Sequence, residues 1–247
     1  MKNYKLKIAY DGTRYYGWER QPDQETIQGK LENVLSIMTD CPISDIDVIG
    51  AGRTDAGVHA RAMIASVKLE TDMEPDEIRD YMNRYLPDDI AVSDVRLASD
   101  RFHARYNAKG KTYQYTLFDG PVHPVFNRKY YSVLDREIDT DRMARAAEYI
   151  VGEHDFKSFC GNSHMKKSTV RTVDSLTVRR SKGYIYVTVH GDGFLQNMVR
   201  IIVGTLIEVG YGRMEPEDIP GILEERNRRK AGPTAPAKGL TLIKVDY

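Results

Sequence analysis

The hydrophobic pattern of the first hundred residues switches between a period of two and a period of 3.6, and the order of those switches restricts the fold more than any single motif. Lys5-Leu6-Lys7-Ile8-Ala9-Tyr10 alternates polar and apolar, as a half-buried strand does, and runs into Asp11-Gly12. A helix follows from about Thr26 to Met38, with Ile27, Leu31, Val34, Leu35 and Met38 on one face and Cys41-Pro42 as its stop. Ile46-Asp47-Val48-Ile49 and the run from Met63 to Leu69 read as an adjacent pair of strands. Pro75 opens a second helix through Leu86, with Asp76 and Glu77 in the first turn where the helix dipole favours anions, and Pro87 closes it. Ile90 to Leu97 alternates again. Strand, helix, strand, strand, helix, strand is the split βαβ order of a ferredoxin-like domain.

The order recurs from Lys111 with longer connections. A strand over Lys111 to Phe118 and a helix over Asp141 to Val151 precede two strands, Val170 to Arg179 and Tyr184 to His190, joined through Ser181-Lys182-Gly183 as a hairpin. An apolar helix over Phe194 to Val209, a further helix from about Glu217 to Asn227 and a strand over Leu240 to Val245 complete the chain. The halves share element order, not sequence. The expected architecture is an α/β protein of α+β type: two ferredoxin-like halves, residues 1–104 and 105–247, sharing a mixed, largely antiparallel sheet. A chain of 247 residues has the mass to bury such a core.

Composition removes several classes of function. No apolar run approaches the 18 residues of a membrane span, and the charged N-terminus carries no apolar signal segment, so a cytoplasmic protein without membrane contact is expected. Cys41 and Cys160 are too few for a disulfide framework and too isolated for a zinc site. Net charge is zero, against an indiscriminately basic nucleic-acid binder, yet the charges are segregated. Glu70 to Asp100 holds ten acids and three arginines, whereas Arg101 to Phe118 holds four basic residues and no acid. Lys166-Lys167, Arg179-Arg180 with Lys182, and Arg226 with Arg228-Arg229-Lys230 are further basic clusters; each is a solvated face by itself, and several on one side of a fold would attract phosphates.

Between the two strands near residue 50 lies Gly50-Ala51-Gly52-Arg53-Thr54-Asp55-Ala56-Gly57-Val58-His59-Ala60. Its glycines permit a sharp turn and a close backbone approach to a ligand, and Arg53 and Asp55 lie inside it, either as an active-site pair or as a solvated one. Asp55 stands where a dinucleotide fingerprint needs its third glycine, and no Walker sequence is present, so both phosphate-cradling templates fail. Upstream, Tyr15, Tyr16 and Trp18 with Arg14, Arg20 and Gln21 suit base stacking and phosphate contact, or else a buried aromatic cluster. His59 has no second ligand at metal spacing, and no metal is assigned.

Gly52-Arg53-Thr54-Asp55-Ala56-Gly57-Val58-His59 resembles the signature of the TruA-type tRNA pseudouridine synthases. The resemblance extends over nearly the whole chain: Tyr10-Asp11-Gly12 with Tyr15-Tyr16-Gly17-Trp18, Phe102-His103-Ala104-Arg105, Lys111-Thr112-Tyr113-Gln114-Tyr115, Phe194-Leu195 with Met198-Val199-Arg200 and Gly204, and Thr234-Ala235-Pro236-Ala237 with Gly239-Leu240. It implies the pseudouridine synthase fold, a homodimer in which both subunits contact one tRNA, and conversion of uridine to pseudouridine in the anticodon stem-loop around tRNA positions roughly 38 to 40, with no cofactor. The family's catalytic aspartate falls on Asp55, which suits either proposed opening, addition to an electrophilic carbon or assistance in removing a ribose proton. Arg200 matches the arginine paired with that aspartate, Tyr113 the active-site tyrosine that stacks on the uracil, Arg53 the residue that helps extract the uridine, and Leu240 an apolar pocket wall. Two positions depart from the pattern: Asp192-Gly193 stands where Asn-Gly or a similar pair is expected, and Gln196 where several relatives carry an aromatic residue or His. Two other classes share parts of the pattern. A noncatalytic RNA-binding module would use the same element order but lacks the RNP1 signature, and a hydrolase would pair Asp55 with a carboxylate such as Asp11.

Overall fold

A computed structural model describes residues 1–247 other than His123 and Ser163. Among the described residues the chain forms ten strands and five α-helices, a mixed α/β structure in which two compact units are distinguished: Met1–Lys109 with Leu242–Tyr247, and Gly110–Thr241.

The first unit is built from β1 (Lys2–Tyr10), α1 (Ile27–Thr39), β2 (Ile49–Gly50), β3 (His59–Leu69), α2 (Pro75–Tyr85) and β4 (Ile90–Leu97). The β4–β1, β1–β3 and β3–β2 pairings are antiparallel, in the ferredoxin-like order β4-β1-β3-β2, with Leu6 opposite Ala65 and Val95, and Ile49 opposite Ser66. Tyr4, Leu6 and Ile8 of β1, Ile27, Leu31 and Leu35 of α1, and Ile78 and Met82 of α2 are all buried and form the core of this unit. Local chemistry marks the helix ends. The Thr26 hydroxyl accepts from Gly29 N at the start of α1, and Asp40 ends it in a left-handed turn at φ 52°. Glu74 and Glu77 form a capping box around Pro75 at the start of α2.

The second unit holds β5 (Gly110–Phe118), β6 (Ser132–Val133), α3 (Thr140–Glu148), β7 (Gly152–Asp155), β8 (Val170–Ser181), β9 (Tyr184–Gly191), α4 (Met198–Gly210) and α5 (Ile219–Glu225). Its strands run β5-β9-β8-β7, antiparallel throughout, and β6 adds a short parallel pairing to β5. Lys182 and Gly183 both take positive φ, 51° and 79°, and Ser181 pairs with Tyr184, so the β8–β9 connection is a two-residue turn whose twist suits the hairpin. The last strand, β10 (Leu240–Asp246), begins in this unit, and its residues from Leu242 onward belong to the first, beside β3. The Tyr247 ring explains the grouping: its hydroxyl donates to Ala104 O at 2.7 Å, and its face takes the Lys5 ammonium at 4.1 Å from the centroid.

Three expected elements differ. The run Ile46 to Ile49 is a strand only at Ile49–Gly50, because the Val48 N–H donates to the buried Glu32 carboxylate at 3.2 Å instead of to a ladder, while Ile46 and Val48 fill the core. The helix expected from Phe194 starts at Met198, since Asn197 is left-handed at φ 59° and cannot propagate a right-handed turn. The helix expected from Glu217 to Asn227 is a 3-10 turn, Pro216–Asp218, followed by α5, which ends at the left-handed Arg226.

Candidate active site

The Gly50–Val58 loop joins β2 to β3, and the segment from Tyr10 to Trp18 is wrapped against it. The Tyr10 hydroxyl shares a hydrogen bond of 2.8 Å with Thr54 Oγ1, the Trp18 N–H donates to Thr54 O at 3.0 Å, and the Gly57 N–H donates to Tyr15 O. Two glycines permit this approach. A Cβ on Gly17, at φ 94°, would lie 2.5 Å from Thr54 O, and a Cβ on Gly12 would lie 2.0 Å from Val58 O. His59 is buried between the Gly12 amide, which donates to its Nδ1 at 3.0 Å, and the Asp11 carboxylate. Thr54 before Asp55 and Gly57 after it are thus held by neighbouring segments, the Val58 N–H donates to Asp55 O at 3.1 Å, and Asp55 itself is half-buried. Arg53 is exposed and pairs with Glu19.

The aromatic segment divides between its two readings. Tyr15 and Trp18 are core residues, with the Tyr15 hydroxyl donating to Asp89 at 2.6 Å and the Trp18 indole covering Gly50, whereas Tyr16 is exposed. Arg20 reaches the fully buried Glu32, which also accepts from Gln28 and Val48; burial raises the Glu32 carboxyl above its ordinary pKa. Asp11 accepts from Thr13 N and Oγ1, so it caps the turn after β1 as well as contacting His59.

In the second unit Tyr113 faces Val189 across the β5–β9 ladder, is buried, and meets the Phe194 ring edge-on at 5.4 Å. Arg200 is the third residue of α4, where a cation opposes the helix dipole by ~0.3–1 kcal/mol. It is fixed there by acceptors: Nε donates to Ala235 O at 2.7 Å and Nη1 to Asn197 Oδ1 at 2.8 Å, while Ala235 N returns a bond to Arg200 O at 3.0 Å. Gly204 one turn later lets the Pro233–Ala235 segment lie on the helix, since a Cβ there would fall 1.7 Å from Pro233 O. Tyr115, two residues along the same face of β5 as Tyr113, donates to Pro236 O at 2.7 Å and shares a bond with Ser132; burial pushes its phenol up to about 12. Gly239 lies against the Tyr115 ring, and Leu240 follows it, buried at the start of β10.

The loop residues Arg53 and Asp55 are therefore together in the first unit, and Tyr113, Arg200 and Leu240 in the second. Sequence reasoning missed the supports, Thr54, Asn197 and Ala235. Asn197 had a readable signal, an Asn directly before an apolar helical run. Many of the basic residues are engaged within the chain: Arg180 with the buried Asp119, Arg226 with Asp155, Lys230 with Glu225, and Arg228 with Ala231, Gly232 and Thr234. Lys166, Lys167 and Arg179 are exposed. Among the described residues no three His, Cys, Asp or Glu side chains are grouped to hold a metal ion, and no helix is long and apolar enough to cross a membrane.

The profile of a family described as tRNA pseudouridine synthase matches residues 7–107 and 146–247. A tRNA pseudouridine synthase A of Bacillus sp. (strain KSM-64) is 49% identical over 248 residues, covering 100% of both chains. Proteins of the same name from Brevibacillus brevis and Clostridium kluyveri are each 44% identical over 247 residues, again covering 100% of both chains. Among solved structures, a Cbf5-Nop10-Gar1 complex matches 97% of this chain and 58% of its own at 11% identity and a TM-score of 0.35, too distant to carry an argument.

Proposed function

The chain belongs to the tRNA pseudouridine synthase family and is an isomerase acting on uridine in tRNA, and from that premise we propose that its targets lie in the anticodon stem-loop, around tRNA positions roughly 38 to 40, with Asp55 as the catalytic carboxylate. The observation that carries this reading is the braced Gly-Arg-Thr-Asp loop. A carboxylate on a backbone fixed by Tyr10, Gly12, Gly17 and Trp18 is preorganised for one position on a substrate. The reaction breaks the N1–C1′ bond, turns the uracil while it is enclosed and joins C5 to C1′; C5 gives up its proton to solvent and N1 takes one up, so product and substrate are isomers. A carboxylate opens this either by adding to an electrophilic carbon or by assisting removal of a ribose proton. Neither needs a cofactor.

The remaining roles follow the family pattern. Arg200 takes the role of the family arginine it matches, an assignment supported by a guanidinium held in the first turn of α4 against the helix dipole. Tyr113 stacks on the target base, Leu240 walls the pocket, and Arg53 leaves Glu19 to occupy the space of the extracted uridine, whose unstacking costs a few kcal/mol. The protein acts in the cytoplasm as a homodimer that shares one tRNA between its subunits.

Carbodiimide primer extension on tRNA transcripts treated with the protein tests the site. Modification confined to uridines around positions 38 to 40, and lost where each is replaced by cytidine, is the expected result; modification only at other uridines contradicts the anticodon assignment. Light scattering at twice 28.2 kDa is expected for the dimer.

A further inference from the structure

Beyond the strand that carries Tyr113, one surface stands out by its side chains. In the loop after β5, Val122, Val125 and Phe126 are 81%, 60% and 83% exposed, and Tyr130 is also exposed. Single exposed apolar residues are ordinary; three within five positions, one of them a nearly bare phenylalanine, are not. The loop is anchored around that ring. Asn127 is left-handed at φ 62°, the Tyr130 N–H donates to Asn127 O at 2.9 Å, and Tyr131 is buried against Phe118 and Tyr184 with its hydroxyl on Pro124 O. The stretch from Gly120 to Ser132 contains no acid, and Arg128 and Lys129 directly follow the aromatic turn, both exposed.

We propose that Phe126, with Val125 beside it and Arg128 and Lys129 next to it, is a second RNA contact, stacking on an unpaired nucleotide of the tRNA while the two cations meet its phosphates. An aromatic face with adjacent positive charge and no acid is what a single-stranded segment recognises, because every base has a π-face and every linkage a negative charge. A second copy of the chain fits less well: the three side chains offer on the order of 400 Å² of apolar surface, short of the ~800 Å² a stable interface uses on each side. The contact is separate from the pocket. Phe118, against which Tyr131 anchors the loop, lies about 17 Å along β5 from Tyr113, so the base that Phe126 stacks on is not the base being isomerised.

The inference rests on tRNA being the substrate, and its test separates the two claims. Wild-type protein is first shown to make pseudouridine in a full-length tRNA transcript; if it does not, the functional reading fails before the loop is in question. Phe126→Ala is then expected to weaken binding of that transcript five- to a hundredfold, with kcat at saturating tRNA unchanged, and Phe126→Trp to restore affinity to within twofold. Arg128→Ala with Lys129→Ala is expected to reduce the slope of log K against log salt by about 1.4 to 1.8. The proposal is overturned if Phe126→Ala binds tRNA within twofold of wild type, or if it halves the mass seen by light scattering, which makes the loop a contact between copies of the chain.

Discussion

Gly204→Ala sets two physical effects of opposite sign against each other. Gly204 is interior to α4, where alanine is favoured over glycine by ~1 kcal/mol, so propensity alone makes the substitution stabilising. The new Cβ, however, would stand 1.7 Å from Pro233 O and 2.8 Å from Pro233 C, a clash with backbone that no side-chain rotation relieves. Overpacking of this kind costs ~1–3 kcal/mol, and moving the Pro233–Ala235 segment off the helix also breaks the Arg200 bonds to Ala235, worth ~1.5–3 kcal/mol for a charged donor. The sum is a net loss of about 1.5–5 kcal/mol, since propensity offsets only part. Urea denaturation measures it, and Gly221→Ala serves as the control. Gly221 lies in α5 with nothing within 4 Å of its added Cβ, so that variant should gain up to ~1 kcal/mol. Because the Arg200 guanidinium loses its seat, Gly204→Ala should also lower kcat well beyond its effect on tRNA affinity. A Gly204→Ala protein as stable as Gly221→Ala would refute both the close approach and the coupling of Arg200 to the 233–235 segment.

Other perturbations probe the loop and its neighbours. Tyr10→Phe removes the bond to Thr54 Oγ1 and should cost ~1 kcal/mol in denaturation while lowering kcat, because Thr54 adjoins Asp55; an unchanged kcat would show that the loop does not need this brace. Glu32 has its carboxyl raised by burial, so the native state takes up that proton before the unfolded state does. The sign follows: stability of the wild type relative to Glu32→Gln should rise as pH falls through the raised native pKa towards the unfolded value, and denaturation midpoints of the two proteins between pH 7 and pH 4 that stay parallel would contradict it. Tyr115→Phe leaves Pro236 O and Ser132 without the phenol and should lower stability by ~1–3 kcal/mol in urea; a loss under 0.5 kcal/mol would show that the 236–239 segment is held by other contacts.

Elements with local punctuation were legible. Pro75 with acids behind it, the alternation of Lys5 to Tyr10 and the Ser181-Lys182-Gly183 turn each carry their own signal within a few residues, and all form where expected. What the pattern misplaced depends on distant partners. Ile46 to Ile49 has strand composition, but the decisive fact is Glu32, fourteen or more positions earlier, which takes the Val48 amide. Phe194 and Leu195 look like the start of the helix that follows because they are apolar. They are apolar for another reason, Phe194 lying against Tyr113 and Leu195 being buried ahead of the left-handed Asn197. β7 was missed because Gly152-Glu153-His154-Asp155 is short and polar and is a strand only through its pairing with β8. In the candidate site, Asp55 and Arg53 stand inside a contiguous motif, whereas Ala235 contributes a backbone carbonyl, which no residue type advertises.

The most direct test of the account is tritium release from tRNA labelled at C5 of uracil, since joining C5 to C1′ expels that hydrogen. Wild-type protein should release tritium in proportion to anticodon-stem uridines, and Asp55→Ala should release none while binding the same tRNA within a few-fold, because phosphate contacts dominate affinity. Release by Asp55→Ala at the wild-type rate would contradict the central claim that Asp55 is the group that opens the glycosidic bond.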